Sequence, residues 1–181
     1  MSKAIFGAMY GLMSYERARQ EKLCAQGKFP WTCADPNVSN AQRLAVLAEE
    51  IGEVAEALLE AKQSHLDTEL TEHVHKLRLE CVQVAAVCRA WIEAMLRIYA
   101  LEPPTEIEAR ARFENHMSIV ESVDVGFVEP IAHLGMLFGR VARRVCEQEI
   151  NLAGYSARAH ISELLDLLSF ALAWAGSCHA T

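Results

Sequence analysis

The chain has 181 residues, 52% of them hydrophobic, and a formal net charge of −7. That length suffices for one domain with a sizeable core, and no apolar run approaches the ~18 residues that a membrane span needs. The 17 basic residues are scattered rather than gathered into a stripe, which argues against DNA or RNA as a partner.

In chain order, the first stretch, 2–26, opens with an apolar segment behind Lys3 but shows no small-residue cleavage site. It reads as an amphipathic helix rather than a secretory signal. Gly27 is placed to end it. Residues 28–38 carry Phe29, Trp31 and two prolines in a loop too long for a simple helix connection, and such loops often carry function. Ser39-x-x-Gln42 is a capping-box pattern opening a helix over 41–63. A third helix is expected over 72–100, stopped before Pro103-Pro104, and Thr105-x-x-Glu108 is a second capping box opening 105–121. Two further helices follow over 129–150 and 157–178. No period-2 segment argues for a strand, so the expected class is all-α, a bundle of five to six helices.

The six cysteines show no C-x-x-C pair and no zinc-type spacing. They read as free thiols of a reducing cytoplasm, with Cys81 and Cys88, seven apart, on one buried helix face. His73-x-His75 reads as an exposed pair near a helix start, without the further ligands a zinc site requires.

The two halves echo each other. Gly52-Glu53-Val54-Ala55 matches Gly139-Arg140-Val141-Ala142, and Glu80-x-x-Gln83 with Trp91 matches Glu163-x-x-Asp166 with Trp174. The step from glutamate to tryptophan is 11 residues in both copies, while glycine to glutamate is 28 in the first and 24 in the second. The pattern predicts a diverged tandem duplication, with residues 1–104 and 105–181 as two halves of one compact domain and four helices, two from each, in one bundle.

Leu44, Leu47, Ile51, Val54 and Leu58 mark the inward stripe of the second helix. Glu50 falls about 80° from its centre and Glu53 about 60° further round. On the third helix, Leu77, Val84, Val87, Trp91 and Met95 form the apolar face, and Glu80 falls within it. An ionised carboxylate buried without a partner costs several kcal/mol, so Glu80 must meet a cation, accept hydrogen bonds or line a polar cleft. An arginine could also supply the cation. Glu50, Glu53 and Glu80 together are hard oxygen donors of the kind that suits Mg²⁺ or Mn²⁺, with Glu49 beside them. Glu56 and Glu60 read as a solvated face.

Glu49-Glu50-x-x-Glu53, 26 intervening residues and Glu80-x-x-Gln83 resemble the E-E-x-x-E…E-x-x-D signature of the all-α nucleoside triphosphate pyrophosphohydrolases, the MazG and dimeric dUTPase superfamily. The flanking words Leu44-Ala-Val-Leu-Ala-Glu-Glu-Ile-Gly-Glu-Val and Gln83-Val-Ala-Ala-Val are also similar to MazG-like proteins. The resemblance covers about residues 16–96. It implies hydrolysis of a nucleoside triphosphate to its monophosphate and pyrophosphate, with Mg²⁺ (or Mn²⁺) held by Glu50, Glu53, Glu80 and Gln83, and with Glu49 or Glu53 as the base. Gln83 stands where the signature has aspartate, which removes one negative charge. Trp31 is the candidate platform for the base, and Lys22, Lys28 and Arg78 are candidate phosphate contacts. The second half places Met136, Leu137 and Arg140 at the positions of the first three glutamates, so it should bind no metal. Arg140 is expected to pair with Glu163 or Asp166 instead. A homodimer and a pseudo-dimeric monomer both fit. Two other readings stay open: a non-catalytic nucleotide-binding or regulatory module, and a structural helical interaction protein.

Overall fold

Among the described residues, six helices follow in chain order: α1 Ser2–Ala25, α2 Asn40–Gln63, α3 Asp67–Tyr99, α4 Glu106–Ser122, α5 Val128–Glu149 and α6 Ala157–Ser177. The structure, a computed structural model, describes residues 2–64, 67–122, 128–150 and 155–178, with no strand among them. No helix among the described residues is long and apolar enough to cross a membrane.

The helix ends are built as the sequence spacing predicts. Gly27 takes φ +72°, a conformation open to a residue without Cβ. Its N–H donates to Cys24 O at 2.9 Å while Lys28 N–H donates to Leu23 O at 3.0 Å, the paired bonds that close a helix at a left-handed glycine. At α2, Gln42 N–H donates to Ser39 Oγ at 3.2 Å and Ser39 N–H donates to Gln42 Oε1 at 2.9 Å. Thr105 and Glu108 make the same exchange ahead of α4, at 3.2 and 2.8 Å. The third helix, however, starts at Asp67 rather than at 72. Residues 68–72 are exposed and polar apart from Leu70, so no apolar period announces them, while Glu69 suits the positive end of a helix dipole. His73 therefore lies in the second turn and is half-buried, with Nδ1 2.5 Å from Ser64 Oγ. His75 is exposed.

Two helices make the centre. α3 is almost wholly buried from Cys81 to Met95, and α6 from His160 to Gly176, as expected of helices that are apolar on most sides. They pack on each other, joining the first half of the chain to the second in one continuous core. α2 lies on α3 and α5 on α6; α2 also meets α5. Outside these, α1 covers α3 and α4 covers α6, and Phe6 meets Phe113 edge to face at 5.3 Å where α1 touches α4. The last three helices thus repeat the pairings of the first three, with an added contact between α1 and α6. Cys81 and Cys88 are fully buried, and all six cysteines are unpaired.

A histidine of α6 sits deep in this core. His160 is 0% exposed, lies edge to face against Trp91 at 5.1 Å, and its Nε2 is buried without a hydrogen-bond partner among the described residues. Burial first, then the charges of Arg144 and Arg43, lower its pKa from 6.5 to about 4. The unfolded chain therefore takes up this proton before the folded one, and the associated stability is complete above about pH 6.5 and lost as pH falls towards 4. The shift corresponds to about 3 kcal/mol at full protonation. A His160→Phe variant is expected to lose less stability between pH 7 and pH 4.5 than the parent in paired denaturant titrations; equal losses would show that His160 takes no part in acid sensitivity.

Candidate metal centre

α2 and α3 lie side by side, and their facing turns gather Glu50, Glu53 and Glu80 so that one carboxylate oxygen of each lies within 4.8 Å of the others. Glu53 is exposed and Glu50 and Glu80 are half-buried. Glu80 thus lies on the line of the α3 apolar stripe but is only half-buried there. Its partner is not an arginine: among the described residues, the Gln83 amide nitrogen donates to Glu80 Oε2. Gln83 thus presents a donor to the cluster, beside Glu80. Glu56 is exposed, and Glu60 pairs with Lys76 at 2.7 Å.

The electrostatics are unfavourable to three free carboxylates. Glu50 Oε2 is buried with no hydrogen-bond partner among the described residues. Burial, then the charges of Glu53, Glu80, Glu49 and Glu16, push the Glu50 pKa up to about 7. Burial and the Glu53 charge also raise Glu80, against the Gln83 hydrogen bond and the charge of Lys76. Adjacent carboxylates that are hard to ionise together are relieved by a cation. The donor set, all carboxylate oxygen, fits a hard divalent ion, and the Glu50 oxygen that has no partner among the described residues is one such donor.

A cleft of about 370 Å³ opens beside the cluster. Glu49, Glu50, Glu53 and Gln83 line one side, Phe29, Pro30 and Trp31 another, and Arg19 and Gln20 of α1 a third. Trp31 is half-buried and packs on the core, which gives the cleft a firm aromatic wall. The loop that carries it is pinned from beneath. Arg43, 1% exposed, donates through Nε to Cys33 O at 2.9 Å, through Nη2 to Asp35 O at 2.5 Å and through Nη1 to Asn40 Oδ1 at 2.9 Å. Arg97 adds a bond to Ala34 O at 2.9 Å, and Trp91 Nε1 donates to Asn40 Oδ1 at 2.8 Å.

The three basic residues expected to reach phosphates lie outside the cleft lining. Lys22 and Lys28 are exposed, and Arg78 turns its Nη2 towards Met9 Sδ at 3.9 Å on the α1 side of α3. The cation at the cleft is Arg19, which sequence reasoning passed over. Its only local signal is the three-residue spacing from Glu16, and nothing in α1 says which helix the pair will face. A second hollow, of about 420 Å³ between α1, α3 and α4, contains none of the clustered carboxylates.

The corresponding place in the second half holds a different solution. Arg140 Nε lies 2.6 Å from Glu163 Oε2, and its Nη2 lies 3.8 Å from Asp166 Oδ2, as the spacing predicts. Arg112 also pairs with Asp166, and Arg144 approaches Glu163 at 3.5 Å. Leu137, at the position matching Glu50, is buried core. Carboxylates kept at this point of the fold are thus met by guanidinium groups. Arg140→Met leaves Glu163, whose side chain is 8% exposed, with Arg144 alone. We expect a loss of roughly 1–3 kcal/mol in chemical denaturation; unchanged stability would mean that Arg144 alone satisfies Glu163.

Comparison with protein-family models, with curated proteins and with solved structures finds no match for this chain.

Proposed function

We propose that the chain is a metal-dependent nucleoside triphosphate pyrophosphohydrolase, converting an NTP or dNTP to its monophosphate and pyrophosphate. The observation that carries this reading is the Glu50, Glu53 and Glu80 cluster, with a buried Glu50 oxygen lacking any partner among the described residues, set at one side of a cleft with an aromatic wall. The resemblance of Glu49-Glu50-x-x-Glu53…Glu80-x-x-Gln83 to the pyrophosphohydrolase signature supplies the reaction.

In this reading Glu50, Glu53 and Glu80 hold Mg²⁺ or Mn²⁺, while Gln83 fixes Glu80 through its amide. The ion, when bound, offsets phosphate charge against an acidic protein and polarises the phosphate under attack. Glu49, exposed and lining the cleft, is placed to take the proton of the attacking water, with Glu53 as the alternative base. The water oxygen bonds to the α-phosphorus and pyrophosphate departs. Trp31, with Phe29 beside it, offers the surface against which a base can stack. The repeated helix pairings suit a pseudo-dimeric monomer, in which one chain supplies both halves of the bundle. Six unpaired cysteines fit a reducing compartment such as the cytoplasm.

One observation favours a second reading. Gln83 brings no charge to the cluster, so the site holds less negative charge than the signature it resembles, and a nucleotide-binding module without turnover would keep the same cleft. Pyrophosphate release from a panel of NTPs and dNTPs, with Mg²⁺ or Mn²⁺, separates the two. The enzyme reading expects release that depends on the metal and disappears in Glu53→Gln. Binding of nucleotide without release from any member would favour the module.

A further inference from the structure

The cleft is lined by three carboxylates and, among the described residues, by a single cation, Arg19. Its guanidinium is not loose. Nε lies 2.6 Å from Glu16 Oε2 and Nη2 donates to Glu16 Oε1 at 2.8 Å, a two-point fork on one carboxylate. Glu16 in turn is buried, at 9% exposure, and also accepts from Gln20 Nε2 at 3.2 Å. Ordinary three-apart pairs on a helix surface join two exposed, mobile side chains and contribute little. Here one partner is sunk into the protein, and the pair sits over a cleft rather than on an open face.

The fork uses the Nε and Nη2 edge of the guanidinium. The Nη1 end makes no hydrogen bond with the described residues, while the Arg19 side chain remains 46% exposed. A planar group held by one edge with its other end unclaimed is suited to receive an oxyanion, the ligand class that guanidinium geometry matches best. The carboxylates that line the same cleft would repel that oxyanion unless a divalent ion lay between them. A ligand carrying both features, a polyphosphate chelated to a divalent cation, satisfies the two sides of the cleft at once.

We infer that Arg19 is the polyphosphate-binding residue of this cleft and that Glu16 is the positioning residue that presents it. The inference rests on the metal-site reading of Glu50, Glu53 and Glu80 and adds to it the group that reads the phosphate chain, on a helix outside the signature.

The test is calorimetric binding of inorganic tripolyphosphate in the presence of Mg²⁺, alongside Mn²⁺ binding without phosphate, for the full chain and the variants Arg19→Gln, Arg19→Lys and Glu16→Gln. Arg19→Gln is expected to weaken tripolyphosphate binding about tenfold or more while leaving Mn²⁺ affinity unchanged. Arg19→Lys is expected to recover only part, because an ammonium keeps the charge but not the fork. Glu16→Gln removes a negative charge near the ligand, so a purely electrostatic role predicts tighter binding and a positioning role predicts weaker binding; we expect weaker. Thermal unfolding of each variant shows whether a loss comes from a damaged fold, and Arg19, with its exposed side chain, is the position least able to cause one. Tripolyphosphate affinity that ignores Arg19→Gln, or absent in the parent chain while Mn²⁺ still binds, overturns this inference alone. Absence of Mn²⁺ binding overturns the metal-site reading beneath it.

Discussion

Glu50→Gln is expected to make the metal-free protein more stable and to suppress the metal-dependent turnover proposed above. In the parent chain Glu50 carries a buried oxygen without a partner among the described residues, and burial followed by the charges of four neighbouring glutamates raises its pKa to about 7. A folded pKa above the unfolded one means that the native state is favoured at low pH and penalised as pH rises through 7. At pH 8 the whole penalty is present, and a neutral amide of the same shape removes it. We expect a gain of about 1–3 kcal/mol in metal-free denaturation at pH 8. Metal-dependent turnover should fall by on the order of 10²-fold or more, since even residues that only support a metal ligand cost about 10–100-fold when removed. Opposite signs for stability and activity are the mark of a site built for a ligand it must wait for. If Glu50→Gln instead destabilised the metal-free chain, the cluster would have to be a structural network, and the helical interaction protein would become the better reading.

Arg43→Met is expected to have the largest effect on stability. The guanidinium is 1% exposed and makes three hydrogen bonds, two of them to carbonyls of the loop that carries Trp31. Methionine fills similar space but leaves Cys33 O and Asp35 O without these donors. The expected loss is about 2–4 kcal/mol, read as a lower denaturation midpoint. Because the same bonds fix the aromatic wall, nucleotide binding should weaken more than Mn²⁺ binding. A change in stability under about 0.5 kcal/mol would show that the loop holds its shape without this anchor.

The helical class and most of the helix boundaries were legible because they rest on short-range chemistry: capping boxes at Ser39 and Thr105, Gly27 at a helix end, and apolar stripes on α2 and α3. Leu47, Val54 and Leu58 are buried as their spacing requires, as are Leu77, Val84, Val87, Trp91 and Met95. The clustering of Glu50, Glu53 and Glu80 was legible for the same reason, since each flanks or enters a stripe and the two helices had to face each other. Arg140 followed from its register against Glu53 in the repeated words.

What depended on a third element was not legible. The start of α3 lay in polar turns that no core contact marks. Arg78 lies only two residues before Glu80, but two residues are about 200° around a helix, so it faces α1 instead of the cleft. Arg19 faces the cleft because of how α1 packs on α3, which no local pattern encodes. Arg43 did leave a trace: it stands four residues before Leu47 on the inward stripe, where a charged side chain calls for partners just as Glu80 does.

The central claim, that Glu50, Glu53 and Glu80 form a divalent-cation site, is most directly tested by titrating the chain with Mn²⁺ and following free ion by electron paramagnetic resonance, with Glu53→Gln in parallel. The account predicts saturable binding in the parent chain that is lost or strongly weakened by Glu53→Gln, with no site contributed by the arginine-filled second half. No saturable binding, or binding that Glu53→Gln leaves untouched, would contradict it.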